Sequence, residues 1–128
     1  MTKTLQLSEK EGWNLAFNAL LNHETSKDNA KEVADALISA EFDGQSGHGL
    51  SRIPSYVEQL SSGKVNGSVS PKIISSKGSV IRIDAGHGFA FPAISLALRE
   101  ITKTCKSFGI AAVGISRSHH FGQAGRHV

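Results

Sequence analysis

Two short stretches of this chain hold residue types suited to anion and proton chemistry. The first is Gly44-Gln45-Ser46-Gly47-His48-Gly49-Leu50-Ser51-Arg52-Ile53-Pro54-Ser55-Tyr56, a glycine-rich loop running into a helix. A cation in the first turn of a helix opposes the helix dipole, so Asp or Glu is the usual choice there. Arg52 makes sense in that turn if an anion is bound, because backbone N–H groups, the dipole and the guanidinium would converge on it. The planar fork of arginine suits a carboxylate, which it can grip with two parallel hydrogen bonds. Tyr56 follows four residues on and shares the face of Arg52. The plain reading of the same residues is a surface arginine and a loop histidine, His48, beside a glycine turn.

The second stretch is Ser116-Arg117-Ser118-His119-His120-Phe121-Gly122-Gln123-Ala124-Gly125. It begins where a buried strand is expected to end, and open α/β sheets gather ligands at the carboxyl ends of parallel strands. Imidazole titrates near neutrality, so a histidine there can take or give a proton. The alternative is a histidine that caps or packs. A third stretch, Asp84-Ala85-Gly86-His87-Gly88-Phe89, carries only part of a dinucleotide fingerprint: Phe91 stands where its third glycine belongs, and Arg117 rather than an acid follows the next strand. It reads as a glycine turn opening a helix. His48, His87, His119 and His120 lack the close pairs of a zinc site.

The elements that would position these residues follow from periodicity. Ser8 and Glu11 have the spacing of a capping box, and Trp13, Ala16, Phe17 and Leu20 form an apolar stripe behind it. A second helix starts after Thr25 or Ser26, carries Ala30, Val33, Ala34, Leu37 and Ile38, and ends near Gly44. A third runs from about Arg52 to Leu60, with Pro54 in its first turn and Gly63 closing it. Residues 72–76 and 79–85 read as strands, joined by a turn at Lys77-Gly78. Residues 92–108 read as a helix with Pro92 first, one apolar face of Ile94, Leu98, Ile101, Cys105 and Phe108, and Gly109 at its end. Ile110–Ile115 is nearly all apolar, as in a strand buried on both faces. Residues 79–116 thus predict a strand–helix–strand unit with parallel strands. The expected organisation is a helical subdomain over 1–63 and the start of an α/β domain over 64–128, an incomplete α/β (α+β) fold. Residues 124–128 read as the beginning of a further helix.

Composition bounds the rest. The chain has 128 residues, 14 Lys+Arg against 11 Asp+Glu, 39% hydrophobic and 20% charged residues. That balance argues against disorder, and a net charge of +3 without a basic cluster argues against a nucleic-acid partner. No apolar run approaches the ~20 residues of a membrane span. The single cysteine, Cys105, excludes an internal disulfide framework and reads as a buried structural thiol. With no leader-like segment at Met1–Leu7, the expected compartment is the cytoplasm.

Taken together, the blocks Gly44–Tyr56, Ile83–Ala93 and Gly109–Gly122 resemble, in order, three motifs of the non-Rossmann malate/L-lactate dehydrogenases. That family also includes sulfolactate, ureidoglycolate and diketogulonate oxidoreductases. The motifs are G-x-x-S-H-G-x-x-R-x-x-x-Y, v-D-x-x-x-G-F-A-x-P-A and G-[IA]-x-x-V-x-[VI]-x-x-S-x-H-[FY]-G. The resemblance covers nearly the whole chain, which would be the first third or so of a member. It implies an NAD- or NADP-dependent oxidoreductase of small 2-hydroxy/2-keto carboxylic acids such as malate, lactate or sulfolactate. It implies His120 as catalytic acid/base, His48 and Arg52 as substrate ligands with Tyr56 nearby, Ser118 as a loop-orienting residue beside the substrate, and a homodimer. One departure is Gly47, where the family has serine. The alternatives are a metal-dependent hydrolase using the histidine set, and a truncated, catalytically inert remnant.

Overall fold

The structure is a computed structural model that describes residues 5–127. Met1–Thr4 of the N-terminal reading and Val128 of the expected last helix lie outside the described residues. Helix α1 (Glu9–Leu21) starts at the expected capping box: Ser8 Oγ accepts from the Glu11 amide, and the Glu11 carboxylate accepts from the Ser8 amide. Helix α2 (Lys27–Phe42) is capped by Ser26. The two helices pack through Ala16, Leu20, Ala30, Val33, Ala34 and Leu37, all fully buried. Each buried Leu or Val side chain contributes about 1.5–3 kcal/mol. Trp13 stacks on Phe17 and donates its indole N–H to Asp35 Oδ1 at 2.7 Å, so its polar edge is satisfied at the rim of this core. Helix α3 (Ile53–Ser61) closes the cluster with Tyr56 and Leu60.

After α3, Val65 and Gly67 are buried against the helices. Asn29, itself buried, donates both amide hydrogens, to Gly67 O and Val69 O at 2.8 Å each. A buried asparagine satisfied in this way pins an irregular segment that has no ladder of its own. Strand β1 (Lys72–Lys77) then pairs antiparallel with β2 (Val80–Phe89) across the Lys77-Gly78 turn, and β2 pairs parallel with β3 (Ala112–His119). The sheet order is β1-β2-β3. Helix α4 (Ala90–Phe108) makes the crossover and ends at Gly109, whose φ of +76° is a left-handed cap. Among the described residues no helix is long and apolar enough to cross a membrane.

Four expectations need correction. Strand β2 does not stop at Ala85 but runs to Phe89, because the Gly86-His87 step is a bulge within the strand and not a turn. Helix α4 accordingly begins at Ala90, and Pro92 takes its third position, where a helix still has no partner for the amide it lacks. The buried residues of α4 are Ala90, Phe91, Ala93, Ile94 and Ala97, and the small side chains of Ala93 and Ala97 let the helix lie close to Ile81, Ile83 and Ala85 of β2. Of the expected stripe only Ile94 is buried; Leu98 and Phe108 are 40% and 56% exposed, and Cys105 is half-buried. Strand β3 is not covered on both faces. It is an edge strand whose Val113 and Ile115 pack toward α4 while Ala112 and Gly114 are exposed.

The stabilising role of Asn29 is testable. Asn29→Ala leaves the Val69 carbonyl without its donor and Gly67 O with only the Ser26 amide at 3.2 Å, so chemical denaturation should report a loss of about 1–3 kcal/mol. Lys31→Ala, which removes an exposed helix-surface ion pair with Asp35, should change stability by less than about 1 kcal/mol. Equal effects of the two would show that the Gly67–Val69 segment is not held by the asparagine.

Candidate functional site

Strand β3 delivers His119 and His120 to the end of the sheet nearest α3. His120 departs from the strand with φ +62°, a left-handed conformation uncommon outside glycine, and this turns its ring onto α3. The imidazole lies 4.3 Å, centroid to centroid, from the Tyr56 ring and 5.7 Å from Phe89. Its Nε2 is 2.9 Å from Gln59 Oε1. Burial pushes the His120 pKa below its ordinary 6.5, and the positive charges of His119, Lys64 and Arg52 push the same way. Burial also raises the Tyr56 phenol above its usual range, with Arg52 acting against that shift. At neutral pH the site therefore holds a neutral imidazole and a neutral phenol within the field of a fixed guanidinium.

Arg52 reaches this position through two successive 3-10 turns, Ser46–His48 and Leu50–Arg52. Four of the loop amides expected to join Arg52 in binding an anion are already engaged within the protein. His48, Gly49 and Arg52 donate to Gln45, Ser46 and Gly49 carbonyls, and Leu50 donates to the Glu41 carboxylate at 2.7 Å. Gly49 is needed for that last contact, since a Cβ there would lie 2.1 Å from Glu41 Oε1. Arg52 caps α3 and does not lie inside its first turn. Its Nε donates to Gly47 O at 2.6 Å, and none of the hydrogen bonds among the described residues uses its two terminal nitrogens. Those nitrogens are the part of the loop that can grip an anion. At Gly47 a Cβ would meet nothing within 4 Å, so the missing serine leaves open space and no collapse.

The other side of the site is the β2 bulge. Arg117 grips Asp84 through both Nε and Nη2, and the Gly86 amide donates to the same carboxylate at 2.8 Å. These contacts hold the Asp84 pKa down to about 2. The bulge is thereby tied to β3 at Asp84, where the register shift that ends at Gly88 begins. The glycines here serve packing: a Cβ at Gly86 or Gly88 would lie 2.6 Å from a Val69 methyl. A pyrophosphate has no room against them, so this pair does not fit a dinucleotide.

Tyr56 and His120 are thus brought into contact, and Arg52, at the start of the same helix, lies where its charge acts on both. His48 and Ser118 are exposed, on the first 3-10 turn and on β3, and no hydrogen bond or ring contact among the described residues joins them to His120. Gln59 escaped the sequence reading, although its signal was present: it is one turn beyond Tyr56 on the face already singled out. His87 and His119 rings stand 6.2 Å apart beside the site. Among the described residues no three His, Cys, Asp or Glu side chains come together as a metal donor set.

The sequence model of the malate/L-lactate dehydrogenase family matches residues 7–128. The chain is 43% identical over 125 residues to a (2R)-3-sulfolactate dehydrogenase (NADP(+)) of Chromohalobacter salexigens, a match covering 98% of this chain and 37% of that one. Its structure is similar to that of the Δ1-piperideine-2-carboxylate reductase of Pseudomonas syringae, with a TM-score of 0.87, 34% identity and coverage of 93% and 36%. It is also similar to the malate dehydrogenase of Entamoeba histolytica, with a TM-score of 0.90, 26% identity and coverage of 98% and 35%. The chain therefore spans about a third of the length of these relatives.

The His120 environment predicts a pH dependence of stability. The folded pKa lies below the unfolded one, so the unfolded chain takes up the proton first and acidification favours unfolding. Stability should fall as pH drops from about 7 through 5, and His120→Asn should flatten that part of the profile. Parallel profiles for the two proteins would contradict the burial of a neutral imidazole here.

Proposed function

The chain belongs to the malate/L-lactate dehydrogenase family, and on that footing we propose that it forms the carboxylate- and proton-handling part of an NAD(P)-dependent oxidoreductase of small 2-hydroxy/2-keto carboxylic acids. The observation that carries this reading is the convergence of His120 and Tyr56 under the charge of Arg52. The substrates named for the relatives share one unit, a carboxylate next to a carbon that interconverts between C–OH or C–NH and C=O or C=N. Such a substrate requires one fixed cation and one group that exchanges a proton near neutrality.

In this reading the terminal nitrogens of Arg52 hold the carboxylate bidentately, with Nε anchored on Gly47 O. His48, on the same loop, contacts the substrate from the exposed side. Tyr56 walls the site. His120, kept neutral by burial and neighbouring charge, takes the hydroxyl proton during oxidation and returns it during reduction. Ser118 orients the strand end. The nicotinamide cofactor, NAD or NADP, supplies or accepts the hydride. The Val69-filled glycine pair gives it no cradle, so the roles assigned to this chain are the proton and the carboxylate. A metal-dependent hydrolase is supported less well, for want of a donor set among the described residues.

Steady-state reduction of 2-keto acids by the protein carrying this chain tests the reading. His120→Ala should lower kcat by ~10²–10⁴-fold. Arg52→Lys should chiefly raise KM, because a point charge replaces a fork. Wild-type kinetics in both variants would reject the assignment. Gly47→Ser, which enters open space, should leave stability within about 0.5 kcal/mol, so any change it makes in the preference among keto acids reflects the site itself.

A further inference from the structure

We infer that Gln59 is a positioning residue for His120: it selects the Nε2–H tautomer and leaves Nδ1 as the nitrogen that exchanges a proton with the substrate. The inference rests on the role proposed above for His120. A neutral imidazole has one N–H donor and one lone-pair acceptor, and the partner of one nitrogen decides the state of the other. Here Nε2 faces Gln59 Oε1 at 2.9 Å. The amide end of Gln59 is occupied in turn, with Nε2–H donating to Ser55 Oγ at 3.1 Å, one turn earlier on α3. That second bond orients the amide so that its oxygen, which can only accept, is the atom presented to the histidine. The histidine nitrogen must then carry the hydrogen. No hydrogen bond among the described residues uses Nδ1.

The ring has little freedom to choose otherwise. It packs in a three-ring cluster with Tyr56 and Phe89, which are themselves 5.2 Å apart, and its backbone is held in the left-handed region. Gln59 is itself anchored, since the Val65 amide donates to its main-chain carbonyl at 3.1 Å. The charged groups facing the imidazole are His119 from β3, Lys64 from the segment after α3, and Arg52 from the turn before it. Lys64 and Arg52 have no acceptor, and no hydrogen bond among the described residues joins the His119 ring, 6.2 Å away, to His120, so none of the three competes with Gln59 for the ring N–H. The proton balance of the catalytic step is simple. The substrate hydroxyl proton moves to Nδ1, Nε2 keeps its own, and the resulting imidazolium donates to Gln59 until the proton returns.

Nitrogen-15 NMR of histidine-labelled full-length chain tests this, with the His120 signals assigned by their loss in His120→Asn. Above the titration midpoint the wild type should show a protonated Nε2 and an unprotonated Nδ1. Gln59→Leu should lose that preference and give a mixture of tautomers. Gln59→Glu should keep the Nε2–H tautomer and raise the titration midpoint, because a carboxylate then faces the ring. A wild-type Nδ1–H tautomer, a Leu variant with wild-type tautomer populations, or a Glu variant with an unmoved midpoint would each overturn the inference. These readouts do not depend on turnover, so they separate a failure of the Gln59 assignment from a failure of His120 as the catalytic group, which the kinetics of His120→Ala report.

Discussion

The contact on which the site depends is the return of the chain, after β3, onto the helical layer. His120 meets Tyr56 and Gln59 of α3, Gln123 donates to Asp43 at the end of α2, and Arg126 donates to the Asp35 carbonyl within α2. These contacts close loops of some sixty to ninety residues, so they form only once both layers exist. The turn that allows them runs through left-handed backbone at His120 and Gly122, and a Cβ at Gly122 would sit 2.9 Å from the Phe91 ring. Backbone of this kind is tolerated where the surrounding contacts over-determine it, and such places are commonly functional.

The sheet supplies the rigid base for that return. Parallel pairing of β2 with β3 aligns Phe89 with His119, so the end of the central strand and the end of the edge strand arrive side by side. The Arg117 grip on Asp84 stitches the strands across the bulge where regular pairing lapses. Phe89 then belongs to the helical core cluster while Ile81 and Ile83, earlier on the same strand, belong to the sheet–α4 cluster. One strand thus links both cores, and a displacement of β2 would move the floor beneath His120. Away from the site the cover is thinner: Phe108, Ile110 and Leu98 remain exposed around α4 and the β3 edge.

The chemistry follows from this architecture in a simple way. A fixed guanidinium next to a neutral imidazole is a stable arrangement only if the imidazole is discouraged from taking a proton in the absence of an anion. Burial against Tyr56 and Phe89, together with the charges of Lys64 and His119, has that effect. A bound carboxylate would offset the cationic field and ease protonation of the ring when the reaction calls for it. In the function proposed above, binding of the anion and readiness for proton transfer would thereby be linked through electrostatics.

Local signals were legible wherever a residue's neighbours in sequence are also its partners in space. The Ser8–Glu11 box, the stripe of α1 and α2 and the Gly109 cap are local features, and each appears as read. The three family motifs were equally visible as strings. What spacing could not show is which face of α4 would be packed, because that depends on the small residues lying against β2 and not on the helix's own periodicity. Nor could it show that Val69 fills the Gly86–Gly88 bulge, that the His48, Gly49, Leu50 and Arg52 amides are occupied by 3-10 turns and Glu41, or that Gln59 meets His120 from 61 residues away. Those are contacts between segments distant in sequence, and only the folded chain brings them within hydrogen-bonding or van der Waals range.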